Sequence, residues 1–282
     1  MKTQRGLAVT AAAVALAATA MTGCSVDFNA GIRHETKSYD IPGSFPALAI
    51  RGHSGRLEVI GTDRSGIRVV ERLSWSNKKN KPKTQRTVRN GSLNLDSDCK
   101  PGGIGFTACG ADFRVEVPRE TAVRLTADSG SVEVTGLTGD SLALTTDSGS
   151  IKAKGIRTKT LTATAESGQI VLDGRADTVT LRADSGRIKA SGLDAKKVTT
   201  RSESGMVSLA LTTVPDNVDV RVDSGMVKVV LPQADPGYNL DLTSESGHQS
   251  IDSALRRDNR SPHHVKVRTE SGMISIDAAG AA

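Results

Sequence analysis

Eight triplets of acid, serine and glycine recur between Thr121 and Ala282, with the acids at Asp128, Asp147, Glu166, Asp184, Glu203, Asp223, Glu245 and Glu270. Such residues offer three kinds of chemistry. Clustered carboxylates hold Ca²⁺. A pair of carboxylates serves as acid and base on a glycosidic bond. A serine beside a base attacks a carbonyl. Each of these needs a place that differs from its surroundings, and here the same three residues return eight times. Successive glycines lie 19, 19, 18, 19, 20, 22 and 25 residues apart. A period near 19 marks one unit stacked on itself.

Carboxylates stacked about 5 Å apart repel by about 1 kcal/mol per neighbour in water. Bound cations would offset this, as would Arg182, Arg201, Arg221 and Arg268, each two residues before an acid. Splaying into solvent is the third way. Asp and Glu interchange freely, and the glycine-rich nonapeptide of calcium-binding β-rolls is absent. The ladder therefore reads as structural, and calcium is expected to have little effect. Ser129, Ser148, Ser167, Ser185, Ser204, Ser224, Ser246 and Ser271 are equivalent, which argues against a unique nucleophile. His34, His53, His248, His263 and His264 show no metal or triad spacing. No catalytic residue, metal site or cofactor is assigned.

The elements around the triplets are strands. In the seven residues before each acid, aliphatic residues alternate with polar ones. One file is Val123, Leu142, Leu161, Val179, Val198, Val218, Leu240 and Val265. A second strand follows each glycine, beginning Val132, Ile151, Ile170, Ile188, Val207, Val227 and Ile274, with Gln249 breaking the file in the seventh unit. Period-two alternation marks strands with one buried face, and no unit shows a helical period. The expected fold is all-β: a parallel β-solenoid, or single-stranded β-helix, of about 19 residues per coil. Right-handed winding is the default for parallel crossovers. The last coil is expected to expose a sheet edge blunted only by 277–282.

A worn copy precedes the regular ones. Leu48, Ile50, Gly55, Leu57, Val59 and Gly61 keep the offsets, with His53 in the acid's place. Strands are also expected at 67–73 and 115–117. The chain divides into 1–23 as a signal peptide, 24–46 as a tether, 47–120 as irregular coils and 121–282 as regular repeats. Residues 24–120 hold 16 Lys/Arg against 11 Asp/Glu, and the rest from 121 hold 19 against 20. The excess centres on Lys78, Lys79, Lys81, Lys83, Arg86 and Arg89. This run is a candidate for binding anionic polymers, although the plainer reading is a solvated loop whose removal leaves the fold intact. Nucleic acid is not expected, because no aromatic residues interleave with the charges.

The N-terminus carries Lys2 and Arg5, then an apolar run of small residues with no further charge before Asp27. That pattern is an export signal. It ends Met21-Thr22-Gly23-Cys24, which resembles the lipobox of bacterial lipoproteins. The resemblance implies that Cys24 is lipidated, with palmitate-type chains, and becomes the mature N-terminus. Cys99 and Cys109 flank a glycine-rich segment, and outside the cytoplasm such a pair reads as a disulfide. Zinc would need four ligands, and no histidine is near in sequence.

With the leader, the worn copy and the ladders of acid-Ser-Gly-x-Ile/Val, residues 48–276 resemble the bacterial "putative adhesin" family of β-strand-repeat proteins. The resemblance implies a domain of unknown function on the cell envelope and supplies no catalytic residues. The expected protein is a lipid-anchored, extracytoplasmic surface module without catalysis. Its partners would be the membrane, through the anchor, and envelope polymers or surface proteins. A polysaccharide-active β-helix enzyme is the alternative, and a cation-binding repeat protein another. An ice-binding face is set aside, because Arg182, Arg201, Arg221 and Arg268 interrupt its threonine column.

Overall fold

The computed structural model describes residues 28–29, 31–99 and 108–280. The expected signal peptide (1–23) and Cys24 lie outside them. Thirteen strands form one sheet: β1 (Phe28–Asn29), β2 (Ile32–Ile41), β3 (Ala47–Thr62), β4 (Ile67–Trp75), β5 (Lys83–Arg89), β6 (Ser92–Asp98) and β7 (Cys109–Pro118). Then come β8 (Ala122–Thr135), β9 (Ser141–Leu211), β10 (Asn217–Leu231), β11 (Asn239–Ser246), β12 (Gln249–Ile251) and β13 (His264–Ala278). Among the described residues a 3₁₀ turn at Lys78–Asn80 is the sole helical element.

The repeats stack in parallel. Val123 faces Leu142, Ser129 faces Ser148 and Val132 faces Ile151 across β8 and β9. The worn copy lies beneath, with Leu48 facing Val123 and Gly55 facing Gly130. In β9 four rungs follow without a break. The corner glycines stack so closely that the missing side chain is a requirement: a Cβ on Gly149 would lie 1.9 Å from the carbonyl oxygen of Gly130. Every aliphatic file predicted to be interior is buried, apart from its seventh member. Leu240, Leu242 and Ile251 are only partly covered, and Gln249 is exposed.

That exception has a topological cause. The eighth unit, β13, inserts between the sixth and the seventh: Val265 faces Val218 in β10 on one side and Leu240 in β11 on the other. The expected stacking in chain order is corrected here. The interior place goes to the unit with aliphatic residues in every file. The unit carrying Gln249 ends the stack, where one side needs no burial. The open edge is therefore β11 and β12, not the final coil.

The N-terminal part differs from irregular coils. β6 and β7 together make one parallel rung under β3, with Leu93 facing Leu48 and Val115 facing Val59. The Cys99–Cys109 disulfide joins the two halves at the corner. Beyond this rung the pairing turns antiparallel: β4 on β7, β2 on β4, β5 on β6. The tether expected at 24–46 is largely structure, since β2 pairs along its length with β4 and Ile41 and Phe45 are buried.

Candidate functional site

The corner places its acids and serines on the outside. All eight serines are exposed, as are most of the acids. Of the four expected arginine pairs, one forms: Arg182 lies 2.8 Å from Asp184. Arg221 turns back to Asp219 at 3.2 Å, and Arg268 reaches Asp241 at 3.7 Å. The pairing of Arg201 with Glu203, Arg221 with Asp223 and Arg268 with Glu270 is thus not observed. His53 enters the acidic column from below, where its Nδ1 meets the carboxylate of Asp128. Among the described residues no three His, Cys, Asp or Glu side chains converge as metal ligands. His263 is not a free strand start: its Nδ1 lies 2.9 Å from the carbonyl oxygen of Pro215.

The basic run is not a solvated loop but is built into the fold. Asn77 caps the turn Lys78–Asn80. The buried Asn80 amide donates to the carbonyl of Ala108 at 2.9 Å and to Ser76 Oγ at 3.0 Å. Lys83 to Arg89 pair residue by residue with β6. Deleting Lys78–Arg89 would strip a strand from the sheet, so the segment is not a removable loop. Lys81 is also engaged, bonded to Glu35 and lying 4.8 Å from the centre of the Trp75 ring. Arg86 covers Tyr39 at 5.2 Å. Lys78, Lys79, Lys83 and Arg89 are left facing solvent.

One face of β5 completes a groove of about 340 Å³ that crosses β6, β3 and β8. Arg89, Arg51 and Arg124 line it together with Gln85, Asn94 and Asp96. Among the described residues no salt bridge ties any of these arginines to a carboxylate, whereas Arg114 and Arg119 nearby are each paired. Three guanidinium groups against one carboxylate suit an anion, and the amides suit sugar hydroxyls. Sequence reasoning found Arg89 but missed Arg51 and Arg124. Their signal was their outward place in the repeat, but only the register of four strands brings them together.

A larger trough of about 750 Å³ follows the turns at Gly155, Gly174 and Gly192. Its charges cancel pair by pair: Lys159 with Asp140 at 2.9 Å, Lys196 with Asp177 at 3.0 Å, Arg175 with Asp194 at 3.4 Å. Among the described residues Arg157 is the one charged group of its lining without a salt bridge, so the trough offers a ligand a single unmatched charge.

Parallel rungs with an antiparallel cap and a polar corner ladder define an all-β, solenoid-like repeat protein. The chain belongs to the Toastrack DUF4097 family, which it matches over residues 45–277. The resemblance read from the sequence stands. A "putative adhesin" from Bacteroides fragilis is similar in structure, with a TM-score of 0.51 at 14% identity over 86% of this chain and 96% of that one. A "putative adhesin" from Parabacteroides merdae aligns with a TM-score of 0.39 at 11% identity, covering 86% and 95% of the two chains. A "putative lipid binding protein" from Parabacteroides distasonis gives 0.36 at 13% identity, covering 87% and 96%. No curated protein matches the chain.

Proposed function

We propose that this protein is an adhesin-like, non-catalytic surface module that binds anionic envelope polymers through its N-terminal groove. The observation that carries the reading is the convergence of Arg51, Arg89 and Arg124 with no partner carboxylate. Lys83 extends the same face of β5, by the two-residue period of a strand. The rungs, wound right-handed at about 19 residues per turn, serve as a rigid spacer. The repeat domain spans 121–282. Attachment is through lipid on Cys24, at the outer side of the cytoplasmic membrane or beyond. The apolar leader and the Cys99–Cys109 bridge, a feature of oxidising compartments, support that location. Carboxylates that obey the repeat speak for binding and against glycoside hydrolysis.

The test is co-sedimentation of the full chain with an insoluble phosphate- or carboxylate-bearing wall polymer, at low and high salt. Replacing Arg51, Arg89 and Arg124 together by Gln should weaken binding at least about tenfold, at roughly 1–3 kcal/mol for each charged hydrogen bond lost. The interaction should also fade with salt. Unchanged binding by the triple variant would remove the groove from the reading.

A further inference from the structure

The outermost rung leaves one side of its first strand open. β11 pairs with β13 on one side only. Backbone groups alternate in direction along it. Asn239 donates to the carbonyl of His263 at 2.9 Å, toward β13. Tyr238 donates the other way, to the carbonyl of Arg256 at 3.0 Å. By the same alternation the N–H and C=O groups of Leu240, Leu242 and Ser244 point away from β13. Residues 252–263, the strap that leads from β12 to β13, cover this edge only at its start. There Asp258 donates to the Tyr238 carbonyl at 2.9 Å, and the Asn239 amide donates to the carbonyl of Asn259 at 3.0 Å. Among the described residues no strand pairs with the outward groups of Leu240, Leu242 and Ser244. On the inner face Leu240 and Leu242 are only partly covered. A regular edge with leucines on its core side is a template for one more strand.

The opposite end of the stack does not supply that strand. There the parallel rungs are closed by antiparallel β4 and β2, and β1 pairs with the start of β2. A head-to-tail file of copies finds no rung to match. What fits β11 is another β11, run antiparallel about a two-fold axis. Outward groups must meet outward groups, so even-numbered residues stand opposite even-numbered ones. Setting Leu240 opposite Leu242 brings Asp241 against its own copy. Setting Leu242 opposite Ser244 brings Asp241 against Glu245. Like charges directly opposite are destabilising. An axis at Leu242 avoids both. Leu242 then meets its copy, Leu240 meets Ser244, Asp241 meets Thr243 and Asn239 meets Glu245. Each outward residue exchanges both of its backbone bonds with its counterpart, and the leucines of the two copies share one inner face.

The same register lays the strap of one copy beside the corner of the other. Arg256 is tied to Asp235 at 3.3 Å, but Arg257 and Arg260 are exposed, and among the described residues no salt bridge engages them. Glu245 at the corner is exposed and equally unengaged. Basic strap thus meets acidic corner on both sides of the axis.

We propose that β11 is the contact surface for a second copy of this chain, joined antiparallel about a two-fold axis at Leu242. The pair runs two stacks into one and carries its N-terminal grooves at opposite ends. It does not depend on what those grooves bind. The test is sedimentation equilibrium of the full chain in density-matched detergent. Twice the mass of one chain is expected, falling to the single mass on dilution. Ser244→Pro keeps the bonds to β13, because the Ser244 N–H points outward, and it is tolerated on an edge strand. It should weaken association at least about tenfold, since one neutral hydrogen bond is lost on each side of the axis. Circular dichroism checks that this variant keeps its sheet. Leu242→Cys is the second test. Opposed residues of a hydrogen-bonded pair stand about 5.5 Å apart at Cα, within reach of a disulfide. This variant should give a reducible dimer under mild oxidation that leaves the wild-type chain uncrosslinked. A single-chain mass at every concentration would overturn the proposal, as would an open series of larger species. So would a folded Ser244→Pro chain that associates as tightly as the wild type, or a Leu242→Cys chain that does not crosslink.

Discussion

A Cβ on Gly168 would lie 1.8 Å from the carbonyl oxygen of Gly149 in the rung below. Gly168 also has φ of 143°. Gly168→Ala must therefore separate two backbones as well as strain its own. It should cost at least about 3 kcal/mol, a fall of roughly 6–12 °C in thermal midpoint at this size. Gly155→Ala is the control. Its φ is 60° and nothing lies within 4 Å of the added atom, so about 1 kcal/mol is expected. Calorimetry on the two variants checks the difference, and equal losses would mean that rung contact at the corner is not limiting.

Thr200 occupies a file otherwise filled by Leu, Val and Ala. It is fully buried, and its Oγ1 has no hydrogen-bond partner. Burying a bare hydroxyl costs about 1–3 kcal/mol by mutational measure. Thr200→Val keeps the shape and removes the hydroxyl, so it should raise stability by about 1 kcal/mol. Urea unfolding is the measurement, with a higher midpoint and an unchanged slope expected. A lower midpoint would show that the hydroxyl is satisfied in solution.

Tyr39 donates its hydroxyl to Glu71, a carboxylate buried beneath the cap. Thr84 donates a second bond at 2.9 Å. Burial first, and then the Glu71 carboxylate, push the Tyr39 phenol well above its ordinary range. It stays a donor throughout the physiological range. Tyr39→Phe removes half of these donors to a buried charge and should cost about 1.5–3 kcal/mol, read from chemical denaturation at pH 7.

The hydrogen bond from Lys81 holds the Glu35 carboxyl below the usual range, against the opposing effect of burial. Lys37, 3.5 Å away, adds to the lowering. The folded value lies below the unfolded one. The stabilisation is therefore complete above the unfolded value of about 4.3 and is lost as pH falls through the folded one. Lys81→Met should flatten the acid limb of the stability profile below about pH 4.3. Its cost at pH 7 should be under about 1 kcal/mol for the exposed pair. An acid limb unchanged by the substitution would contradict the assignment.

The repeat was plain in the sequence because each rung needs a gap at the corner and an aliphatic residue at fixed steps from it. Gly130 and Val132 announce the same geometry as Gly225 and Val227. The strands at 67–73 and 115–117 were readable from aliphatic alternation alone. The order of the last two rungs was not. Both carry the corner triplet, and only the relative cost of burying Gln249 sends β11 to the outside. β2 escaped notice because most of its residues are half-buried, which leaves no strict alternation. The groove escaped because Arg51, Arg89 and Arg124 sit on three strands far apart in the chain. The basic run was visible as composition, but composition does not reveal that Asn80 anchors it.

Residues 239–251 leave the ribosome before 264–278, yet they are seated outside them. The stack therefore cannot be finished by adding rungs in the order of synthesis. β11 has no bed until the final strand has taken its place on β10, so a copy that stops short of β13 lacks two rungs and not one. Such a copy would show a raw β10 edge and a loose β11 to any protease in its compartment. Completeness of the C-terminus is thereby checked by the winding itself.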